Sequence, residues 1–261
     1  MRGSILRWSG SKTKLLPALE NLAPTDFEAY VEPFAGSASL FFKLCPENAI
    51  LGDINPAVVD VYRAIQQDAN LLADTLDSIP PTRESYYTLR ALNQDGLSLA
   101  QRAARLIFLM KACFNGVYRT NRIGQFNVPM GSRLYAIPTR DDLTAAAKIL
   151  RGVKLISGDF TKTLSLTKPG DWIYLDPPYR QPGRYRGEYG MPFDKVAFDK
   201  LLIIAESLAK AGRFVMLSYC EDDSMLAKLK GWNVCRSSTR RTVSGNPILR
   251  RNTVELIVTS Y

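Results

Sequence analysis

The sequence predicts an α/β fold: a sheet of the nucleotide-binding type, interrupted after its second strand by a mainly helical insertion. Three observations carry this. Residues Ala29 to Asp53 read as strand, small-residue turn, helix and strand, the unit that opens such sheets. From about Asp68 to Leu150 the chain changes to a mainly helical pattern. After Val153 short apolar runs return, and one of them, Trp172-Ile173-Tyr174-Leu175, stops abruptly at Asp176-Pro177-Pro178-Tyr179.

In order along the chain, Ala29-Tyr30-Val31-Glu32 is the first strand, Pro33 to Ser37 a turn, and Ala38 to Leu44 a helix. Ala49 to Asp53 is a second strand ending in an acid, and an amphipathic helix follows from about Pro56 to Gln67. The insertion contains helices over Thr82 to Asn93 and Leu99 to Phe114. A hairpin-like stretch with Gly116, Gly124 and Pro129 interrupts it. Further strands are expected at Val153 to Ser157, Trp172 to Leu175, Phe214 to Ser218, Trp232 to Ser237 and Val254 to Thr259. Helices over Asp194 to Ala211 and Asp223 to Leu229 lie between them. There is no internal repeat.

Composition narrows the function. The 261 residues suffice for one large or two small domains. No apolar stretch approaches the roughly 20 residues that cross a bilayer. Basic Met1-Arg2-Gly3-Ser4 is followed by no apolar core or cleavage site, so secretion is not indicated. Cys45, Cys113, Cys220 and Cys235 are scattered, as expected of free thiols in a reducing cytoplasm. Histidine is absent, which removes Ser-His-Asp and Cys-His catalysis and most catalytic zinc sites. Chemistry must then rest on carboxylates, backbone groups, lysine, tyrosine or a cofactor.

The net charge of +9 points to a polyanionic partner, and its distribution is more telling than its total. No acid occurs between Asp95 and Asp141, while Arg102, Arg105, Lys111, Arg119, Arg122, Arg133 and Arg140 all fall there. After Asp223 only Glu255 is acidic, against Lys228, Lys230, Arg236, Arg240, Arg241, Arg250 and Arg251. Such one-signed segments with Asn, Gly and aromatic residues favour nucleic acid over a merely solvated face.

Four strand ends carry candidate chemistry. Neither proline after Asp176 has an N–H, so the turn cannot be stitched to a neighbouring strand, and it presents Asp176, the Pro177 carbonyl and the Tyr179 ring. Two acceptors suit an exocyclic amine, and the ring offers a stacking face for a planar base. The same residues also suit a proline turn closing a core strand. Phe34-Ala35-Gly36-Ser37-Ala38-Ser39 lets a ligand approach backbone N–H groups, and Asp53 is placed for a ribose diol. A tight helix entry capped by Asp53 is the plainer alternative. At Ser157-Gly158-Asp159-Phe160 an acid and an aromatic ring could meet an adenine, or Asp159 could close an Asx turn.

Taken together, these elements resemble the Dam-type (D12 class) adenine-N6 DNA methyltransferases, in the alpha order of motifs, over nearly the whole chain. Arg7-Trp8-Ser9-Gly10-Ser11-Lys12 is similar to the family's N-terminal Lys-Trp-x-Gly-Gly-Lys element, and Glu32 to Ser37 to its S-adenosylmethionine loop. Asp53-Ile54-Asn55 resembles the acidic end of its second strand, and Asp176 to Tyr179 its catalytic motif. The stretch Phe114-Asn115-Gly116-Val117-Tyr118-Arg119-Thr120-Asn121-Arg122-Ile123-Gly124-Gln125-Phe126-Asn127-Val128-Pro129 is similar to its target-recognition segment. Ala38 stands where many relatives have a second glycine, Ser11 replaces a glycine, and Arg7 a common lysine. Ala38 puts cofactor affinity in question; Arg7 keeps the charge and permits bidentate contact to guanine.

The resemblance implies a Rossmann-like S-adenosylmethionine-dependent methyltransferase sheet with a mostly helical DNA-recognition insertion carrying a β-hairpin. Residues 1–55 and 151–261 would form the catalytic domain and residues 56–150 the recognition insertion. It implies catalysis by Asp176, Pro177, Pro178 and Tyr179. Cofactor contacts are implied for Trp8, Lys12, the backbone of Phe34, Ala35, Gly36 and Ser37, and for Asp53, Asp159, Phe160 and Asp176. DNA contacts are implied for Arg7, Phe114, Asn115, Val117, Arg119, Asn121, Arg122, Asn127 and Pro129. For Arg122, Arg240, Arg241, Arg250 and Arg251, phosphate contact and ordinary solvated charge stand equal. The Gly-rich, basic and aromatic loop Arg180 to Gly190 fits a segment that orders on DNA.

The expected reaction is direct methyl transfer from S-adenosylmethionine to the N6 of an adenine flipped out of double-stranded DNA. It calls for no covalent enzyme intermediate and no metal. GATC, the commonest target among similar proteins, is the expected site. The protein is expected in the cytoplasm, at a bacterial nucleoid or as a phage product, with no membrane and no obligate protein partner. The competing readings are a catalytically silent nucleic-acid-binding homologue, and the same chemistry on cytosine N4 or on adenine in RNA.

Overall fold

The computed structural model describes residues 5–179, 193–220, 222–240 and 252–261, with side chains described except at 238–240 and 252–253. Its strands are β1 Tyr30–Glu32, β2 Ala49–Asp53, β3 Lys154–Ser157, β4 Trp172–Leu175, β5 Phe214–Cys220, β6 Asn233–Arg240 and β7 Asn252–Thr259. Among the described residues these form one sheet in the order β3-β2-β1-β4-β5-β7-β6. The first five in chain order run parallel, and β7 lies antiparallel between β5 and β6.

The central strands read as continuous apolar runs because both faces of the sheet are covered. Tyr30, Trp172, Tyr174 and Met216 point to a cluster that also takes in the helices on the insertion's side. Val31, Ile173, Leu175 and Leu217, one residue out of phase, point to a second cluster on the other face. Helices α3 Pro56–Asp77, α4 Arg83–Ala91, α5 Leu99–Ala112 and α6 Arg140–Ile149 follow β2, so the insertion falls between β2 and β3 as the sequence predicts. α5 is buried on nearly every side and shares the first cluster with the sheet, so insertion and sheet share packing.

Three local features differ from the sequence reading. Helix α1, Leu16–Asn21, was not anticipated. The helix expected to stop at Gln67 instead kinks at Asp68 (φ −158°, ψ 92°) and continues to Asp77. The Asp68 carboxylate causes this restart, accepting from the Asn70 and Leu71 N–H groups as a second N-cap. Finally, Phe160 opens a helix, α7 Phe160–Leu164, where only a turn was expected. The remaining helices are α2 Ser39–Leu44, α8 Lys195–Lys210 and α9 Asp223–Lys228.

Within the insertion a hairpin does form. Asn127 N–H donates to the Arg119 carbonyl at 3.0 Å and Asn121 N–H to the Gln125 carbonyl at 2.8 Å. Gly124, at φ +79°, supplies the left-handed residue of its turn.

Candidate active site

The strand order reverses between β1 and β4, and ligands of open α/β sheets bind outside the carboxyl ends of the strands at such a switch point. Glu32 ends β1 there, and Asp176 follows the last residue of β4. Parallel pairing sets Leu175 opposite Leu217, so the next step brings Asp176 beside Ser218 of β5.

Asp176 Oδ1 receives two donors. Lys12 Nζ approaches to 2.7 Å from the N-terminal segment, and Ser218 Oγ donates at 3.1 Å from β5. Oδ2 has no partner among the described residues. Burial raises the Asp176 carboxyl above its ordinary range, and Lys12 and Ser218 pull against it. Lys12 is itself held by the Gly10 carbonyl at 3.0 Å and lies 4.7 Å over the Tyr179 ring. Tyr179 packs edge-on against Tyr219 at 5.1 Å. Pro177 is buried and Pro178 half-buried.

Beneath Asp176 lies a layer of buried acids. Glu32 is 3% exposed, and burial lifts its carboxyl well above the usual range despite the Tyr30 hydroxyl that donates to it at 2.9 Å. Asp53 accepts the Gly36 N–H at 2.9 Å and the Asn55 N–H at 2.8 Å, and burial pushes it up to about 6. Asp53 thus fastens the end of β2 to the small-residue loop after β1. The loop's other ties are the Tyr62 hydroxyl, which donates to the Gly36 carbonyl at 2.6 Å, and the Ala35 N–H to Gly52.

The loop is bare for steric reasons. Gly36 sits at φ +46°, and a Cβ there would come within 2.8 Å of Trp8 Cδ1. Ala38 is also left-handed (φ 46°, ψ 39°), a conformation that glycine would adopt at no cost. The departure noted in the sequence is therefore a point of backbone strain. Phe34 stacks on Phe160 at 5.5 Å, with Phe193 edge-on to both. Beside them Asp159 spends Oδ1 on the Thr161 N–H and hydroxyl, capping α7. Ser37 is buried and its hydroxyl pairs with that of Ser39 at 2.9 Å.

The segment 114–129 sits back to back with this loop through Trp8. Trp8 stacks on Tyr118 at 5.5 Å and 28°. Arg7 Nη1 donates to the Cys113 carbonyl at 2.9 Å, its guanidinium lies 4.0 Å over Tyr135, and Ser9 N–H binds the Gly116 carbonyl. Arg7 is thus half-buried and structural in this arrangement. The turn it supports presents Phe114, 50% exposed, and Asn115, which is left-handed at φ 54°. Val117 is half-buried.

On the hairpin, Arg119 Nε donates to Asn127 Oδ1 at 2.7 Å, which holds the guanidinium flat against the ladder. Asn121 Oδ1 accepts from the Ile123 and Gln125 N–H groups and shapes the tip. Arg122 is exposed at that tip beside Ile123, and Pro129 is exposed further along, its carbonyl bound to Phe114 N–H. The loop 180–190, Arg241, Arg250 and Arg251 lie outside the described residues, as does the side chain of Arg240. Sequence reasoning did not single out Ser218, Tyr174, Tyr30 or Tyr62. One signal was available for Ser218, a hydroxyl inside an otherwise apolar strand end. A cavity of about 450 Å³ at the α3 kink, lined by Gln66, Asp68, Lys148 and Arg151, shares no residue with the strand-end cluster.

An acid-lined strand end at the switch point, a small-residue loop and a basic insertion define a group-transfer enzyme of the Rossmann-like methyltransferase class that acts on DNA. The chain belongs to the D12 class N6 adenine-specific DNA methyltransferases, whose defining sequence pattern matches residues 8–239. A type II methyltransferase of Lactococcus lactis subsp. cremoris is 30% identical, over 98% of this chain and 94% of its own length. A type II methyltransferase of Methanocaldococcus jannaschii is 28% identical over 98% of both chains. A DNA adenine methylase of Haemophilus influenzae is 26% identical over 97% of this chain and 91% of its own. The adenine-specific DNA methyltransferase expected from the motifs is thus the family found. Among the described residues no helix is long and apolar enough to cross a membrane.

Proposed function

We propose that this enzyme moves a methyl group from S-adenosylmethionine to the N6 amine of an adenine turned out of duplex DNA, with GATC as its expected site. The observation that carries the reading is the state of Asp176. One carboxylate oxygen is anchored by Lys12 and Ser218, and the other has no partner among the described residues. The adenine amine is a poor nucleophile because its lone pair is delocalised into the ring. Asp176 Oδ2 and the Pro177 carbonyl supply two acceptors for its two N–H groups, which favours a pyramidal nitrogen. The amine gives up a proton as it gains the methyl, and a buried carboxyl raised above its ordinary range is a suitable acceptor.

The chain's residues fit such a donor. Trp8 closes on Gly36 too tightly to admit a Cβ, Asp53 offers a carboxylate at the end of β2, and Phe34, Phe160 and Asp159 combine aromatic faces with an acceptor. When bound there, S-adenosylmethionine supplies a methyl group made electrophilic by its sulfonium. Lys12 and Asp176 orient the reacting groups, and most of the rate comes from positioning and electrostatics. In this reading residues 56–150 recognise DNA through the Phe114–Gly116 turn and the hairpin. Tyr179, with Lys12 over its ring, is the platform for the flipped base. The enzyme works in the cytoplasm.

Asp176→Ala tests the assignment. It should abolish methyl transfer while leaving DNA binding largely intact, and full residual activity would overturn it.

A further inference from the structure

We propose that Tyr174 and Ser218 form a positioning relay, Tyr174 O–H to Ser218 Oγ–H to Asp176 Oδ1, which locks the Asp176 side chain so that Oδ2 faces the target amine. The inference rests on the role given above to Asp176 and adds two residues that set its geometry.

The placement follows from strand periodicity. Tyr174 and Asp176 are two residues apart and so share a face of β4, and parallel pairing brings Ser218 of β5 level with Asp176 on that face. Ser218 is 0% exposed and Tyr174 1% exposed, in strands whose neighbours are apolar or aromatic. A hydroxyl so deeply buried is costly unless it is hydrogen-bonded. These two bond to each other at 2.9 Å, and Ser218 reaches Asp176 at 3.1 Å.

The direction of the relay is fixed by counting hydrogens. An ionised carboxylate only accepts, so the single Ser218 hydrogen goes to Asp176. Ser218 then has only lone pairs to offer Tyr174, and Tyr174 must donate. Burial keeps the Tyr174 phenol protonated, so it remains a donor. Each bond polarises the next toward Asp176.

Lys12 alone would leave Asp176 free to turn about the one contact. Lys12 comes from the N-terminal segment and Ser218 from β5, so two donors from separate elements converge on one oxygen and leave the other directed away. Among the described residues, the remaining groups whose charge Asp176 feels are Glu32 and Tyr30 from β1 and Tyr174 on its own strand. None of these carries a positive charge, so among the described residues Lys12 and Ser218 are the groups that favour the ionised form.

The test uses the full chain with duplex DNA and S-adenosylmethionine. Ser218→Ala should lower kcat by about 10- to 100-fold with the KM for DNA changed less than about twofold, because the lost interaction acts on the reacting group and not on binding. The acid limb of kcat against pH should move upward, and Ser218→Thr, which keeps the hydroxyl, should restore both. Tyr174→Phe should give a smaller loss of the same kind. The double variant should match Ser218→Ala, since both residues act through one chain of bonds. A readout without turnover is ¹³C NMR of the aspartate carboxyls in the protein alone, with the Asp176 signal assigned from Asp176→Asn. Its titration should shift upward in Ser218→Ala.

Wild-type kcat and pH profile in Ser218→Ala, or losses that add in the double variant, would overturn the relay. If Ser218→Ala does not fold, Tyr174→Phe alone decides, since it removes a single oxygen and wild-type behaviour there refutes the idea. An inactive Asp176→Ala beside a wild-type Ser218→Ala removes the relay only. A fully active Asp176→Ala removes the assignment on which it rests.

Discussion

Lys12 Nζ stands 2.7 Å from Asp176 Oδ1, joining the N-terminal segment to the end of β4. The pair is largely shielded, with side chains 9% and 18% exposed, so each charge depends on the other. Removing Lys12 leaves Asp176 largely shielded, with Ser218 as its one donor among the described residues. Lys12→Met should therefore cut methyl transfer by about 100-fold and move the acid limb of the rate profile upward. Steady-state kinetics across pH checks this, and an unchanged limb would show that Lys12 does not govern the Asp176 carboxyl.

The loop after β1 should tolerate its two small residues unequally. In Gly36→Ala the new Cβ meets Trp8 at 2.8 Å on a backbone at φ +46°. The left-handed conformation alone costs about 1–2 kcal/mol for an L-residue, and the clash adds to it. Denaturant unfolding should show at least about 2 kcal/mol of loss, with weaker S-adenosylmethionine binding by calorimetry. Ala38→Gly should change stability by less than about 1 kcal/mol, because relief of left-handed strain is offset by a lost buried methyl and a freer unfolded chain.

How far the sequence was legible follows from which contacts are local. Strand β4 announced itself because both of its faces are buried, so it is an unbroken apolar run. The left-handed Ala38 was marked by its departure from a glycine. Asp176 was marked by the apolar run that stops at it, whereas Lys12 entered the site only through the motif resemblance, since no local spacing links residues so far apart in the chain. Ser218 and Tyr174 were hidden for the opposite reason: within an apolar strand each reads as an ordinary core residue, and only the β4–β5 register makes them neighbours. Asp159 had two readings in sequence, and its Oδ1 serves the Asx-type cap of α7.

Buried Asp53 should leave a mark on stability against pH. Its folded value of about 6 exceeds the ordinary carboxylate value, so at intermediate pH the native state keeps a proton that the unfolded chain has lost. Stability from this group is full below about pH 4 and falls as pH rises to about 6, by up to about 3 kcal/mol. Thermal melts over that window should show the decline in the protein without ligand, and Asp53→Asn should flatten it. Parallel curves for the two proteins would contradict the assignment.

On the hairpin, Arg119 and Arg122 should behave differently. Arg119 is oriented by Asn127, as a base-reading guanidinium must be, so Arg119→Ala should cost about 1–3 kcal/mol of specific binding and relax discrimination at one base pair. Arg122 is exposed at the tip and suits phosphate. Arg122→Ala should weaken all duplexes alike and reduce the salt slope by about one. Fluorescence anisotropy on matched and mismatched duplexes over a salt series separates the two.

The most direct test of the central claim is methyl transfer from labelled S-adenosylmethionine to unmethylated plasmid DNA, with single-molecule sequencing to map the modified bases. The account predicts N6-methyladenine at one short motif, GATC, and none with Asp176→Ala. Label on cytosine, or no modified base in DNA despite measurable S-adenosylmethionine binding, would contradict it.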